Sequence, residues 1–352
     1  MIGEAQRRIE ETPVDPIKLP KVSGSFEVDP AVEEALPVEA TKLLHSFHYA
    51  ESLRSGTAKL AVELPNGKKE SYFLKIARGE SGAQKCEGEY ESLKAMHAIS
   101  PGFVPKPYAW GKCKNSEPEA YFLLEEFRDI LVQPADPFKL VTGLADLHRR
   151  SESPTGQFGF HVQTWHGEIA QHIDQWDDSW AALFGRHLGH IMEIAQHILN
   201  WPEFDLVCKL TLDKVVPRLL LPLQENGRVL KPSLVHGDCW DGNTALDAQT
   251  GEGFVFDVCS FYGHNEYDIG NWRAPRHRLS DKAYINCYKR EFPASEPAED
   301  WDARNLLYSL TFNIGNLINI PGSQQREIVY DDMMTLCRAF CPDDLQMEMA
   351  RL

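Results

Sequence analysis

The sequence is short of several features that would define other classes of protein. No apolar run approaches the roughly 18 residues of a membrane-spanning helix, so none is predicted. The first twenty residues are polar and mixed in charge, without the apolar stretch of a secretory signal. No cluster of Lys and Arg is present, and the formal net charge is −16. Such an acidic surface repels phosphate backbones and anionic lipid, which argues against nucleic acid or membrane as a partner. There are eight cysteines but no CxxC pair, so zinc-type spacing is lacking. The thiols read as free and buried in a reducing compartment, with the cytoplasm as the expected location. The histidines show no ligand spacing either, which disfavours a metal-dependent hydrolase. Neither an internal repeat nor a low-complexity tract is visible.

What is present has a direction along the chain. Residues 1–40 carry Pro13, Pro16, Pro20, Pro30 and Pro37 among scattered charges and read as an extended or partly ordered arm. Strands are predicted over 59–64 and 71–77. Pro65-Asn66-Gly67-Lys68 turns between them, because Asn-Gly supplies the positive φ that a tight hairpin needs. A helix follows over 82–99, with Tyr90, Leu93, Ala95, Met96 and Ile99 as its apolar points, and prolines at 101, 105 and 107 end it. Residues 120–124 form a buried strand, and 138–149 and much of 177–200 are helical. Short strands over 233–235 and 253–256 flank a loop, and the chain is mostly helical from 281 onward. A strand-rich front thus precedes a helix-rich back, an α+β arrangement.

The loop between the two short strands is the most informative segment. It reads His236-Gly237-Asp238-Cys239-Trp240-Asp241-Gly242-Asn243, or H-G-D-x-x-x-x-N, and Asp257 closes the next apolar strand. Phosphoryl transfer asks little of a protein: a carboxylate to receive or orient the hydroxyl proton, and oxygen ligands to hold the metal on the phosphates. Asp238, Asn243 and Asp257 match those parts in type, order and spacing. A cation for the phosphates is also required. Lys75, inside the apolar strand YFLKI, suits it, because a charge among apolar neighbours must find a partner. Glu89 on the following helix is the candidate partner, with Glu87 and Glu91 close by. Ser55 and Gly56 form the candidate phosphate-covering turn through their N–H groups, although a plain hairpin turn fits equally well. The chain divides into an arm over 1–40, a strand-rich nucleotide-binding part over 41–126, and a helix-rich catalytic and acceptor-binding part over 127–352.

The residues also resemble a family. HGDCWDGN followed by FDVCSFYGHNEYDIG is similar to the fructosamine kinases, also called ketosamine-3-kinases or protein-ribulosamine 3-kinases. Upstream, Leu147-His148-Arg149, Phe158-Gly159-Phe160, Thr164, Gly167, Gln171, Trp176, Trp180 and Phe184 follow that family's order, and EGEYESLKAM favours Glu89 over its neighbours. The resemblance runs from about Ser46 to about Phe312. It implies a two-lobed protein-kinase-like fold, ATP and Mg2+ as cofactors, and phosphorylation of the sugar 3-hydroxyl of a ketosamine, free or on a protein lysine, after which the adduct breaks down and releases the amine. It implies Asp238 as base, Asn243 and Asp257 on magnesium, and Lys75 held by Glu89 on phosphate. It also implies His236 bracing the loop and Asp268 hydrogen-bonding the loop backbone. Glu126 and Arg128 become candidates for backbone contacts to adenine. Trp240 is a sugar-facing aromatic or a packing residue, with equal standing. The chain departs from the pattern at Cys239, at Val258-Cys259, and at Phe312-Asn313-Ile314-Gly315-Asn316, which lacks an Asn-His pair. A protein kinase is disfavoured, since no A-P-E segment follows Asp257. A kinase of another amino-alcohol or amino-sugar, or an ATP-binding pseudokinase scaffold, are the alternatives.

Overall fold

The computed structural model describes residues 21–39, 41–49, 56–320 and 322–352. Residues 1–20 of the expected arm, and Ser55, lie outside the described residues. The chain forms two compact units. One contains residues 21–143 and Asp241–Ser260, and the other Leu144–Trp240 and Phe261–Leu352.

The first unit is built on one antiparallel sheet. Its strands are β1 (Val22–Ser25), β2 (Lys42–Tyr49), β3 (Gly56–Glu63), β4 (Lys69–Arg78), β5 (Pro107–Lys112) and β6 (Ala120–Glu126), in the order β1-β2-β3-β4-β6-β5. Successive side chains of a strand face opposite ways. Tyr72, Leu74 and Ile76 of β4 therefore share one face with Ala58, Leu60 and Val62 of β3 and with Phe122 and Leu124 of β6. Val32 from helix α1 (Pro30–Glu34) closes that core. Lys75 is left on the opposite face, where helix α2 (Gly82–Ile99) lies. The Asn66-Gly67 turn joins β3 to β4 in the register Glu63↔Lys69, with Gly67 at φ +80°. A smaller sheet of β7 (Ile130–Val132), β11 (Thr244–Asp247) and β12 (Gly253–Val255) completes the unit. Strand β2 and the pair β1 and α1, inside the proline-dotted arm, have weak or irregular apolar alternation, and sequence periodicity does not find them.

The second unit is helical. Helix α3 (Pro137–Arg150) contributes its last turns. A two-stranded hairpin, β8 (Trp165–His166) and β9 (Ile169–Ala170), follows, and then α4 (Trp180–Leu199). The side chain of Ser179 caps α4 by accepting from the Ala182 N–H at 3.3 Å, which is why that helix begins at 180. Helix α5 (Pro202–Leu210) runs into a π-helical turn, Thr211–Val215, and α6 (Val216–Leu220). Strands β10 (Ser233–Val235) and β13 (Phe261–Gly263) pair antiparallel. Helices α7 (Lys282–Glu291), α8 (Trp301–Asn319), α9 (Gln325–Phe340) and α10 (Pro342–Met349) complete the unit. The segment that includes Asp268 is a 3-10 helix, Asn265–Arg273.

Helix α8 is buried nearly all round, as suits a central helix. Its Tyr308 sits among Trp180, Phe184 and Tyr267 in edge-to-face contacts. Its fully buried Arg304 makes two bonds to Glu266 of the 3-10 segment, at 3.0 and 3.2 Å. It also donates to the carbonyls of Pro297 and Ser295, at 2.6 and 2.7 Å. A charge buried this deeply persists only when paired in this way. Gly270 lets the two elements close: a Cβ there would lie 2.7 Å from the Tyr308 Cβ and 3.0 Å from its backbone carbon. Gly270→Ala should therefore force the segments apart and cost about 1–3 kcal/mol of stability, read as a lower urea midpoint. An unchanged midpoint would mean that the contact relaxes freely.

Candidate active site

In the sheet unit, three predicted residues come together: the Lys75 cation, Glu89 and Asp257. The Lys75 Nζ donates to the Glu89 Oε1 at 2.6 Å and also to the Asp257 carboxylate. The Lys75 and Glu89 side chains are each 15% exposed, whereas that of Asp257 is 55% exposed. Burial by itself would push the Lys75 ammonium down, but Asp257, Glu89 and Glu125 overcome it and hold the group above its usual value. The same burial raises Glu89. Asp257 stands at the end of the β11–β12 hairpin with φ +60°, a left-handed conformation that Asp tolerates better than most residues. Asn243 begins the same hairpin. The Phe256 N–H donates to the Asn243 carbonyl at 3.1 Å, so Asn243 lies across the ladder from the residue before Asp257. Asn243 is buried, and the turn before it is held by the Gln133 Nε2, which donates to the Gly242 carbonyl at 2.7 Å.

One residue of this set has no counterpart in the sequence reading. Glu125 on β6 is 4% exposed, and its Oε2 has no hydrogen-bond partner. Burial, with Glu89 alongside, pushes its carboxyl up to about 8. The strand period was the available signal, since Glu125 lies two residues beyond Leu123, which pairs with Lys75. Glu126 and Arg128 are placed differently. The Glu126 Oε2 accepts from the Lys106 N–H at 3.1 Å and from the Arg128 Nη2 at 3.0 Å. The Arg128 guanidinium donates to the carbonyls of Pro101, Gly102 and Val104. Both side chains brace the connection between α2 and β5. Gly56 begins β3, exposed and opposite Ile76.

In the helical unit, Asp268 anchors the loop that carries Asp238. Fully buried, it accepts from the His236 N–H at 2.7 Å and the Gly237 N–H at 2.9 Å. It also meets the His148 Nε2 at 3.0 Å, and the His148 Nδ1 meets the Tyr288 hydroxyl at 2.8 Å. Gly237 has φ +91°, a conformation that favours glycine. The His236 Nδ1 accepts from the Asp238 N–H at 3.2 Å, so that ring braces the loop. The Asn271 Nδ2 donates to the Asp238 Oδ1 at 3.1 Å, and the Trp272 Nε1 donates to the Cys239 carbonyl at 3.1 Å. Asn271 and Trp272 lie one turn after Asp268, so the acid, the amide and the indole reach the loop from one short element. Burial opposes ionisation of Asp238, but His166, His236 and His277 outweigh it and hold the carboxyl below its usual value. The Trp240 ring packs on His277, with centroids 5.4 Å apart. Asn271 and His277 escape sequence reading because no fixed spacing from the H-G-D-x-x-x-x-N loop announces them.

Among the described residues, no group of three His, Cys, Asp or Glu side chains forms a metal cage. All eight cysteines are free and buried, and no described helix is long and apolar enough to cross a membrane.

A strand-rich unit with a buried Lys–Glu pair, followed by a helical unit with an anchored H-G-D loop, defines a two-lobed protein-kinase-like phosphotransferase. Its fold is shared by the aminoglycoside phosphotransferase APH(4)-Ia, solved in a ternary complex with AMP-PNP and hygromycin B (TM-score 0.53, 17% identity, 88% of this chain and 97% of that one). A family model described as fructosamine kinase matches residues 34–337, and the chain belongs to that family. A chloroplastic protein-ribulosamine 3-kinase of Oryza sativa subsp. indica is 30% identical over 275 residues, 76% of this chain and 74% of the relative. A Thermobifida fusca protein assigned as a fructosamine-3-kinase superposes with a TM-score of 0.69 at 20% identity, over 89% of this chain and all of that one. Membership makes this chain an ATP-dependent phosphotransferase.

The buried cation gives a stability test. Lys75→Met should cost about 3 kcal/mol, because it strands Glu89 and Glu125 in the interior. Adding Glu89→Gln should restore part of that loss. A double-mutant cycle in urea should show a coupling of about 1 kcal/mol or more between the two positions, and a coupling near zero would dissolve the pair.

Proposed function

We propose that this chain phosphorylates the sugar 3-hydroxyl of ketosamines, the ribulosamine or fructosamine adducts of amines and protein lysines. The 3-phosphate so formed breaks down and frees the amine, a deglycation repair. The observation that carries this reading is the anchored Asp238 loop in a chain of the fructosamine kinase family. The Oryza relative's name supplies ribulosamine, and the Thermobifida fusca neighbour's supplies fructosamine.

In this reading Asp238 takes the proton from the acceptor hydroxyl while that oxygen bonds to the γ-phosphorus. The bond to the β-phosphate oxygen breaks, and ADP leaves. A carboxyl held below its usual value is ionised at neutral pH and ready to receive a proton. Lys75, kept charged by its carboxylates, neutralises phosphate oxygens, with Glu89 fixing its direction. Asn243 and Asp257 fit Mg2+. They offer an amide oxygen and a half-exposed carboxylate from one hairpin, a hard-oxygen pair to which phosphates and water add the remaining ligands. When bound there, the metal supplies positive charge to the phosphates. We assign nucleotide binding to the lobe over 41–126, with Ser55, Gly56 and the backbones of Glu126 and Arg128 near the nucleotide. Acceptor binding falls to the lobe over 127–352, with Trp240 toward the sugar. The cytoplasm is the location we favour.

ATP consumption is the direct test, against ribuloselysine, fructoselysine, choline and an aminoglycoside. Turnover with a ketosamine should fall about 100-fold or more in Asp238→Asn. Turnover with choline or the aminoglycoside alone would replace the ketosamine reading with the amino-alcohol or amino-sugar one. A separate test concerns the metal. MgATP should raise the melting temperature of the wild type, and Asp257→Ala should lose that rise. An equal rise in both proteins would remove Asp257 from the metal site.

A further inference from the structure

The hairpin over 164–171 has no part in the reading above, yet it is built with care. The Gln171 N–H donates to the Thr164 carbonyl, and the Gln171 Nε2 donates to the Thr164 hydroxyl, both at 2.9 Å. Gly167 makes the tight turn at φ +63°. Asn319 of α8 fastens the tip: its Nδ2 donates to the His166 carbonyl at 3.3 Å, and its Oδ1 accepts from the Glu168 N–H at 3.1 Å. The His166 ring then lies against α8, edge-on to Phe312 and over Gly315. A Cβ on residue 315 would come within 2.9 Å of the His166 Cε1 and 3.1 Å of its Nδ1, so glycine makes the seat. The other ring nitrogen, Nε2, reaches the Asp238 Oδ1 at 3.4 Å. Asn271 donates to that same oxygen from the other side.

We propose that His166 is a positioning residue for Asp238. The Thr164–Gly167–Gln171 hairpin and the Gly315 seat exist to deliver its Nε2 to Oδ1, and with Asn271 they fix the carboxylate's rotation. The inference rests on the reading of Asp238 as the base. The Asp238 carboxylate is also faced by His236 from its own loop and by His277 after the 3-10 segment. Arg276 acts on His277, and His187 of α4 lies near His166. Among these, only His166 comes from the hairpin. Its removal should let Asp238 titrate at higher pH, since the histidines together outweigh the burial that raises it.

The experiment compares wild type, His166→Ala, His166→Gln, Gly315→Ala and Asp238→Asn, with a ketosamine as acceptor. His166→Ala should lose about tenfold in kcat, with the KM for ATP little changed. The acid limb of its kcat profile should move to higher pH. His166→Gln, which keeps a donor, should recover part of the kcat. In 13C-aspartate NMR, which needs no acceptor, the Asp238 signal (assigned by its absence from Asp238→Asn) should titrate at higher pH in His166→Ala. A folded His166→Ala with unchanged kcat, limb and Asp238 titration overturns the inference and leaves the base assignment standing. Turnover retained in Asp238→Asn overturns both. If His166→Ala does not fold, Gly315→Ala displaces the ring without altering it and is judged by the same outcomes.

Discussion

The Asp268 carboxylate holds the helical unit's part of the site together. It is buried without solvent, so its charge must be met in full by neighbours. Two backbone N–H groups of the loop that carries Asp238 and the ring of His148 meet it. Those bonds fix the peptide planes on either side of His236, and the His236 ring, accepting from the Asp238 N–H, fixes the next one, which sets the direction in which Asp238 leaves the backbone. The segment that carries Asp268 is pinned in turn, with Gly270 against Tyr308 and Glu266 clamped by Arg304. Disturbance at α8 would thus reach the loop that carries Asp238 through this short segment.

The sheet unit solves a related problem with the opposite sign. A lysine on an apolar strand is costly unless carboxylates surround it, and here Asp257, Glu89 and Glu125 do so. The surplus of acid over base leaves a carboxyl, Glu125, that is better off protonated at neutral pH. The arrangement keeps a fixed positive charge poised with little conformational freedom, which agrees with the phosphate contact proposed for Lys75.

Much of this was legible in the residues. H-G-D-x-x-x-x-N, Asp257 and Lys75 are constrained by chemistry at fixed spacing, so they announce themselves. The β3–β4 hairpin announced itself through Asn66-Gly67, and α2 through its apolar points and the prolines after it. Other parts depended on distance in space. Glu125 reads as one of two ordinary glutamates at a strand end until β6 is seen beside β4. Asn271 and His166 touch Asp238 from positions 33 residues after it and 72 before it, where no local pattern relates them. The Arg128 guanidinium serves carbonyls from a turn 24–27 residues earlier, a contact that no local pattern announces.

The left-handed backbone at Asp257 has a consequence of its own. Only a few side-chain types enter that region of φ without steric penalty, and of these glycine and asparagine carry no charge. The position therefore selects twice, once for backbone tolerance and once for an anionic oxygen, and aspartate is the residue that satisfies both. The unfolded chain seldom visits this conformation, so the folded hairpin has already met the ordering cost before any ligand arrives. The direction in which the Asp257 side chain leaves the hairpin is thus set by the fold itself.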